Sequence, residues 1–306
     1  YTDLTQNVAG RTVSVKIRQA TDFDKAYQDL RKLSQPVGGS FGLSGANNLD
    51  VSQNGEDGIV LKVTDAGLTQ RMNSAIQASI ETIRRRVDAF GTTEPSIQRQ
   101  GRNRVLVQVP GISDVERLKK LIGETGKLEF RMVDPGANAQ QVVETKQVPI
   151  DDELLYSKDT PPVPYVIRKQ VLVSGENLVD SQPGFDQRTN EPIVTFRFDS
   201  TGAKRFARAT QENVGLPFAI ILDGKVVSAP VIREPILGGS GQISGHFTVP
   251  EASDLAVTLR SGALPAKLTV IEERTVGASL GADSIASGTK ATLLGLLLVV
   301  LFMFAA

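Results

Sequence analysis

Six arginines fall within the stretch RRRVDAFGTTEPSIQRQGRNRVLVQVPG (Arg84 to Gly111): Arg84, Arg85, Arg86, Arg99, Arg102 and Arg104. Guanidinium groups at that density can bind nucleic acid, grip a phosphate, or solvate the ends of a helix and a hairpin. The chain as a whole argues against the first. It carries 34 Lys and Arg against 34 Asp and Glu, a formal net charge of zero, whereas a nucleic-acid binder shows a basic excess or a one-faced basic stripe. Asp88 and Glu94 also sit inside the cluster. An RNA-binding sheet would offer aromatic rings for base stacking, and the flanking strands offer Ile97, Val105 and Val107. No nucleic-acid partner is expected. The triplet Arg84 to Arg86 reads as cations at a helix C-terminus, each worth about 0.3–1 kcal/mol when exposed, on a solvated or interface-forming surface.

The other groups that could do chemistry are sparse. GGSGQISG (Gly238 to Gly245) lacks the dinucleotide spacing and does not open a helix, so a turn is the expectation. His246 is the single histidine, and any Ser-His-Asp or histidine-rich metal site would depend on it alone. There is no cysteine, which excludes a thiolate nucleophile, a thiolate metal site and a disulfide framework. Asp151, Asp152 and Glu153 form one acidic run, and Glu272 and Glu273 another; both read as solvated charge. No catalytic residue, metal site or cofactor is expected. A rival enzymatic reading is an acylphosphatase-like hydrolase, with an arginine and Asn103 of QRQGRNR gripping a phosphate and a water.

The elements that must carry these residues are clearest between Gly58 and Val133. Ile59, Leu61 and Val63 alternate as in a half-buried strand. Leu68, Met72, Ile76, Ile80, Ile83, Val87 and Phe90 then follow at steps of three and four. That stripe predicts a long amphipathic helix from Asp65 to a C-cap at Gly91. Ser96 to Gln100 and Arg104 to Val109 flank a hairpin turn, SDVE (Ser113 to Glu116) opens a short helix as a capping box, and Leu128, Phe130 and Met132 alternate in a last strand. The order βαββαβ is the ferredoxin-like pattern.

Residues 134 to 192 are rich in Pro, Asp and Gln and read as linker and long loops around one strand, about Tyr165 to Val173. Further on, Val194, Phe196 and Phe198 alternate in a strand, and Ser200 caps a helix. Asp223-Gly224 joins two apolar strands as a hairpin. A strand near Gln242 to Phe247, a helix opened by TVPE (Thr248 to Glu251) and a strand Lys267 to Ile271 complete a second α+β module. Its ending, helix, glycine, then Lys-Leu, echoes LKKLIGETGKLEF in the first.

At 306 residues, about two domains are expected. Residue 1 is Tyr, so the sequence reads as a piece of a longer protein, and 1–57 as the remnant of an N-terminal α/β domain. The run Ala291 to Ala306 has no polar side chain after Thr292 and reads as a truncated C-terminal transmembrane helix, although a full span takes about 20 apolar residues.

Several of these motifs together resemble the SecD family, the membrane subunit that works with SecF in bacterial protein export. They are IRRRVDAFGTTEPSIQRQGRNRVLVQVPG, LDGKVVSAPVI, and GQISGHFTVPEASDLAVTLRSGALPAKLTVIEERTVGASLG running into the apolar tail. The resemblance implies a ferredoxin-like base (58–133), a periplasmic head with a Pro-rich insertion (134–266), a return to the base (267–288) and the start of a transmembrane helix (289–306). It implies partnership with SecF, the SecYEG channel, YajC, unfolded preprotein and the membrane, at the bacterial inner membrane with most of this chain in the periplasm. The implied work is to hold or pull emerging chains in a proton-gradient-driven cycle. The family's GLDLRGG-type motif and its proton-carrying acid are not in this sequence, and His246 inherits no role. Phe196, Phe198, Val226 and Val231, on strands of the head beside long loops, are the candidate preprotein-binding residues. A periplasmic adaptor of an efflux pump is the remaining alternative.

Overall fold

The computed structural model describes residues 1, 3–37, 46–91, 94–112, 114–275 and 279–305. Its first elements are β1 (Asp3–Asn7), β2 (Thr12–Lys16), α1 (Phe23–Arg31), β3 (Leu49–Asn54) and β4 (Gly58–Val63). The four strands form an antiparallel sheet in the order β1-β2-β4-β3, and Ile59 is its fully buried residue.

Helix α2 (Asp65–Asp88) starts at Thr64, whose hydroxyl accepts the Gly67 amide at 3.0 Å. It ends before Gly91, whose φ of +69° suits a residue without Cβ. Of the apolar stripe, Ile80, Ile83 and Val87 are buried while Met72 stays exposed, so the stripe is fully covered only along the C-terminal half of the helix. β5 (Ser96–Gln100) and β6 (Arg104–Gln108) pair as the expected hairpin and pack on that half. α3 (Val115–Gly123) is capped by Asp114, which accepts from the Arg117 amide at 2.9 Å; the proposed cap Ser113 lies outside the described residues. Strand β7 (Leu128–Val133) follows.

The remaining elements of the first unit are α4 (Ala139–Thr145), β8 (Asp152–Ser157), β9 (Pro164–Ser174), β10 (Leu178–Phe185), β11 (Pro192–Phe198), α5 (Ser200–Glu212), β12 (Phe218–Leu222), β13 (Lys225–Ser228), β14 (Ser240–Ser244) and α6 (Val249–Ser261). β12-β13-β8-β9-β7 close into a barrel, and β10-β11-β14 form a separate sheet. Asp223 and Gly224 turn the β12–β13 hairpin with φ of +51° and +78°, the left-handed pair that such a turn needs. Phe130 of β7, Phe196 and Phe198 of β11, Phe206 of α5 and Phe218 of β12 meet in one core with Leu255 and Leu259 of α6. A smaller core, Ile167, Ala219, Ile221 and Val226, lies among the barrel strands.

Four expectations need correction. The order βαββαβ is present from β4 to β7, but its strands do not share a ferredoxin-like sheet. β4 is flanked by β2 and β3, and β7 by β9 and β12, so neither has an edge left for β5 or β6. Residues 134 to 192 are not mainly linker: they hold α4, β8, β9 and β10. Pro183 sits in β10, at the end of its sheet, where a missing amide donor is tolerated. Lys267 to Ile271, expected as a strand, forms no regular element. α5 is capped by Asp199, which accepts the Gly202 amide at 2.6 Å, and not by Ser200.

Contacts divide the chain into two units, Tyr1–Leu268 and Thr269–Ala306. The second contains α7 (Ser279–Ala305), longer at its start than the expected tail helix. Ser287, Thr289 and Lys290 interrupt its apolar character, and among the described residues no helix is long and apolar enough to cross a membrane. The expected transmembrane segment is to that extent not found.

Candidate functional site

The arginine cluster separates into three environments. Arg84 and Arg85 are exposed at the end of α2, and Arg85 pairs with Glu81 at 3.5 Å. Arg99 folds onto its own hairpin, donating to the Gly101 and Arg102 carbonyls at 2.9 and 3.2 Å and to Asn73 of α2 at 2.8 Å. Its donors thus serve the turn and the helix beneath it. Arg86 is fully buried, where a helix end on a solvated or interface-forming surface was expected. It lies on the covered face of α2 beside Ile83 and Val87, where the last turn meets two other helix ends.

The acidic run Asp151 to Glu153 also divides. Asp151 and Glu153 are exposed, and Glu153 pairs with Arg131 at 2.9 Å. Asp152 is buried. Burial, and then a hydrogen bond with Asp134, push its carboxyl above the usual carboxylate range. His246 is exposed after β14, and Gly238 to Gly245 supply a turn and β14.

A groove of about 670 Å³ runs across the β10-β11-β14 sheet, facing residues 230 to 236. Register explains its interior. Ser181, Phe196 and Gly241 lie opposite one another on the three strands. A Cβ on Gly241 would come within 2.6 Å of the Phe196 ring, so the glycine is needed for the ring to lie under β14. The facing wall is pinned in place. Ile232 and Leu216 bond at 3.0 Å, Phe218 donates to Pro230 at 3.0 Å, and the Ile236 amide donates to Thr210 at 3.0 Å. Phe196, Phe218 and Ile232 give a buried apolar wall; Val231, Arg197, Arg233 and Glu234 are exposed along it. Ser181 is 1% exposed, and its buried hydroxyl has no hydrogen-bond partner among the described residues. β14 ends the sheet, hydrogen-bonded on one side to β11.

Such a groove offers apolar contact, charges of both signs and strand edge. It suits an extended chain more than a compact ligand. Of the four candidate residues, Phe196 lines the groove from the core and Val231 is exposed within it. Phe198 belongs to the aromatic core and Val226 to the barrel core, so both are packed away from solvent. Sequence reasoning passed over Ser181, Arg197, Arg233 and Gly241. The alternation Phe196-Arg197-Phe198 places Arg197 opposite the core face and was the available signal for it.

Comparisons with known proteins agree on one family. The family description "SecDF, P1 head subdomain" matches residues 152–266, and "Protein translocase subunit SecDF, P1 domain, N-terminal" matches residues 76–135. The chain is 45% identical over 251 residues to the protein translocase subunit SecD of Magnetococcus marinus, covering 80% of this chain and 47% of that protein. It is 41% identical over 303 residues to SecD of Acetobacter pasteurianus, covering 99% and 56%. A solved structure of SecDF, described as a membrane component that enhances protein export, superposes with a TM-score of 0.54 at 36% identity, over 66% of this chain and 94% of that one. A crystal structure of SecDF in a super-membrane-facing form gives 0.56 at 37% identity, over 76% and 32%. The chain spans about half the length of the curated relatives it matches.

Proposed function

Because the chain belongs to the SecD family of protein translocase subunits, we propose that it serves protein export by holding unfolded polypeptide in the head groove. The observation that carries this reading is the groove itself. It lies within the residues matched as the head subdomain, and it joins an apolar wall to the end strand of a sheet. Main-chain hydrogen bonds along β14 and apolar contact with Val231, Ile232 and Phe218 would hold an extended segment without reading its sequence. A translocase needs that tolerance, and it needs release, so the binding is weak. The role is binding rather than bond-making catalysis, with no metal or cofactor.

In the same reading, the proton gradient drives the cycle, and SecF, the SecYEG channel and YajC are the partners. The chain works at the bacterial inner membrane, with its first unit in the periplasm. α7 contacts lipid: Leu293, Leu294, Phe302 and Met303 are all more than half exposed on it, an apolar surface that water disfavours.

The test is site-specific photo-crosslinking in cells exporting a stalled preprotein, with the probe at Val231, Arg233 or Gln242, and at Arg102 on the hairpin tip as reference. Preprotein adducts at the groove positions, reduced when the proton gradient is collapsed, are expected. Adducts at Arg102 with none in the groove would overturn the reading.

A further inference from the structure

Two apolar cores in the first unit meet at a polar seam. One gathers Ile80, Ile83 and Val87 of α2 with Ile97, Leu118 and Leu264; the other is the aromatic core of the head. The chain crosses from the first to the second between α3 and β7. It returns between α6 and Leu264. Both crossings converge on the Arg86 side chain.

The convergence uses the whole donor capacity of the guanidinium. Nε donates to the Ser261 hydroxyl at 3.1 Å. Nη1 donates to the Leu121 carbonyl at 2.6 Å and to the Glu124 carbonyl. Nη2 donates to the Thr125 and Gly262 carbonyls at 3.3 and 3.2 Å. Three of these acceptors follow from the end of α3 and two from the end of α6, where carbonyls lack intrahelical partners and the helix dipole is negative. The two crossings are also bonded to each other, Leu264 amide to Thr125 carbonyl at 2.7 Å.

The surrounding residues fit this arrangement. Gly126 has φ of +73°, and a Cβ there would come within 2.8 Å of Arg86 Nη2. Asp223, on the β12–β13 turn, holds the far side of the same loop: it accepts from the Thr125 hydroxyl and from the Gly126 and Lys127 amides at 3.0 and 2.7 Å. Burial pulls the Arg86 guanidinium below its usual pKa, opposed by the charges of Glu124 and Asp223, and an arginine stays protonated under such a shift. Another polar link across the seam is Arg117 of α3 to Asp254 of α6, at 2.7 Å and partly exposed. Arg117 also lies over the Phe90 ring at 5.2 Å.

We propose that Arg86 is a latch: one buried guanidinium that sets the orientation of the head on α2 by joining the ends of the two helices through which the chain passes into and out of the head. The apolar contacts lie within each core, so the seam can open without dissolving either. Removing the guanidinium leaves its acceptors buried without donors, which is costly. They recover hydrogen bonds by admitting water, and the head is then displaced. This inference is independent of what the groove binds.

The chain has no cysteine, so spin labels can be placed at Gln77→Cys on α2 and Arg188→Cys between β10 and β11, both exposed positions. Pulsed dipolar spectroscopy on the full chain should give one narrow distance distribution in the parent protein. Arg86→Met should shift and broaden it, while hydrogen-exchange protection of the barrel strands and of the C-terminal half of α2 persists. Arg86→Lys should broaden it nearly as much, because an ammonium on a single stem does not reach both helix ends. Ser261→Ala, which deletes one of the bonds, should give a smaller broadening in a folded protein. An unchanged distribution in Arg86→Met overturns the latch. If Arg86→Met loses protection in both cores together, Ser261→Ala decides, and an unchanged distribution there overturns it equally.

Discussion

In the aromatic core that β7 shares with the head, the Phe130 ring meets four other phenylalanine rings, those of Phe196, Phe198, Phe206 and Phe218, at centroid separations of 5.4, 5.3, 5.8 and 6.3 Å. Around α2 the buried apolar set is aliphatic, and the largest fully buried side chain is Arg86. The strands differ in the same way. The head closes four of its strands together with β7 into a barrel and so removes their edges. The β5–β6 hairpin is a two-stranded sheet, marginal without a partner surface. The head is thus held by apolar area and closure. The region of α2 is held by a thin apolar layer together with directional bonds to the ends of α3 and α6. A core built from area resists local damage until packing fails; a seam built from a few directional bonds is specific in geometry, and most of its bonds here pass through one guanidinium.

Matched truncations test that contrast most strongly. Phe130→Ala should destabilise the first unit by about 3–5 kcal/mol, and Ile83→Ala by about 2–5 kcal/mol, read as shifts in urea midpoint. Hydrogen exchange should place the first loss in the barrel for Phe130→Ala and in α2 for Ile83→Ala. A larger midpoint shift for Ile83→Ala would reverse the ranking of the two cores.

A smaller effect should come from the start of α6, which belongs to the head while its far end is bound to Arg86. Thr248 and Glu251 form a capping box there, the Thr248 amide donating to the Glu251 carboxylate at 2.9 Å. Thr248→Ala should cost about 1 kcal/mol, with faster exchange confined to the first turn of α6. Faster exchange at Ser261 and Gly262 as well would mean that the helix transmits the loss to the seam, and the two regions would be less separate than described.

The smallest effect concerns Asp152 on the barrel. Its carboxyl is held above the usual value, so the folded protein keeps a proton that the unfolded chain releases. Its contribution is full below the ordinary aspartate pKa and is lost as pH rises through the folded value. Relative to Asp152→Asn, the parent protein should therefore lose stability as pH rises through the range just above the ordinary carboxylate value. Urea midpoints of the two proteins that move in parallel across that range would remove Asp152 as a titrating group of the head.

How far the sequence carried can be judged residue by residue. Ile80, Ile83 and Val87 announced the buried face of α2 by their spacing. Asp223-Gly224 announced a hairpin, and Thr248 with Glu251 a helix start, because each depends on backbone conformation within a few residues. The motifs around IRRRVDAFG and LDGKVVSAP were sufficient to point to the family. The groove was half legible: the alternation of β11 was visible, but Phe198 and Val226 could not be told from Val231, since an apolar strand residue looks the same whether a second layer covers it or not.

What the sequence by itself determined, then, was part of the set of local elements, among them α2, the β5–β6 hairpin and the β12–β13 turn, and the family; the tertiary structure decided the other elements and how all of them pair. β4 and β7 carry strand patterns that fit a shared sheet, and they lie in different sheets because other strands took their edges: β2 and the adjacent β3 for β4, and the more distant β9 and β12 for β7. Residues 152 to 157 and 178 to 185 are strands because partners at β9, β13 and β11 accept them, although they lie in a stretch whose Pro, Asp and Gln content reads as loop. Arg86 is the sharpest case. Its local sequence, three arginines at a helix end, describes a solvated cation. Its burial depends on carbonyls up to 176 residues away, and no local pattern encodes a hydrogen bond whose acceptor is positioned by another part of the fold.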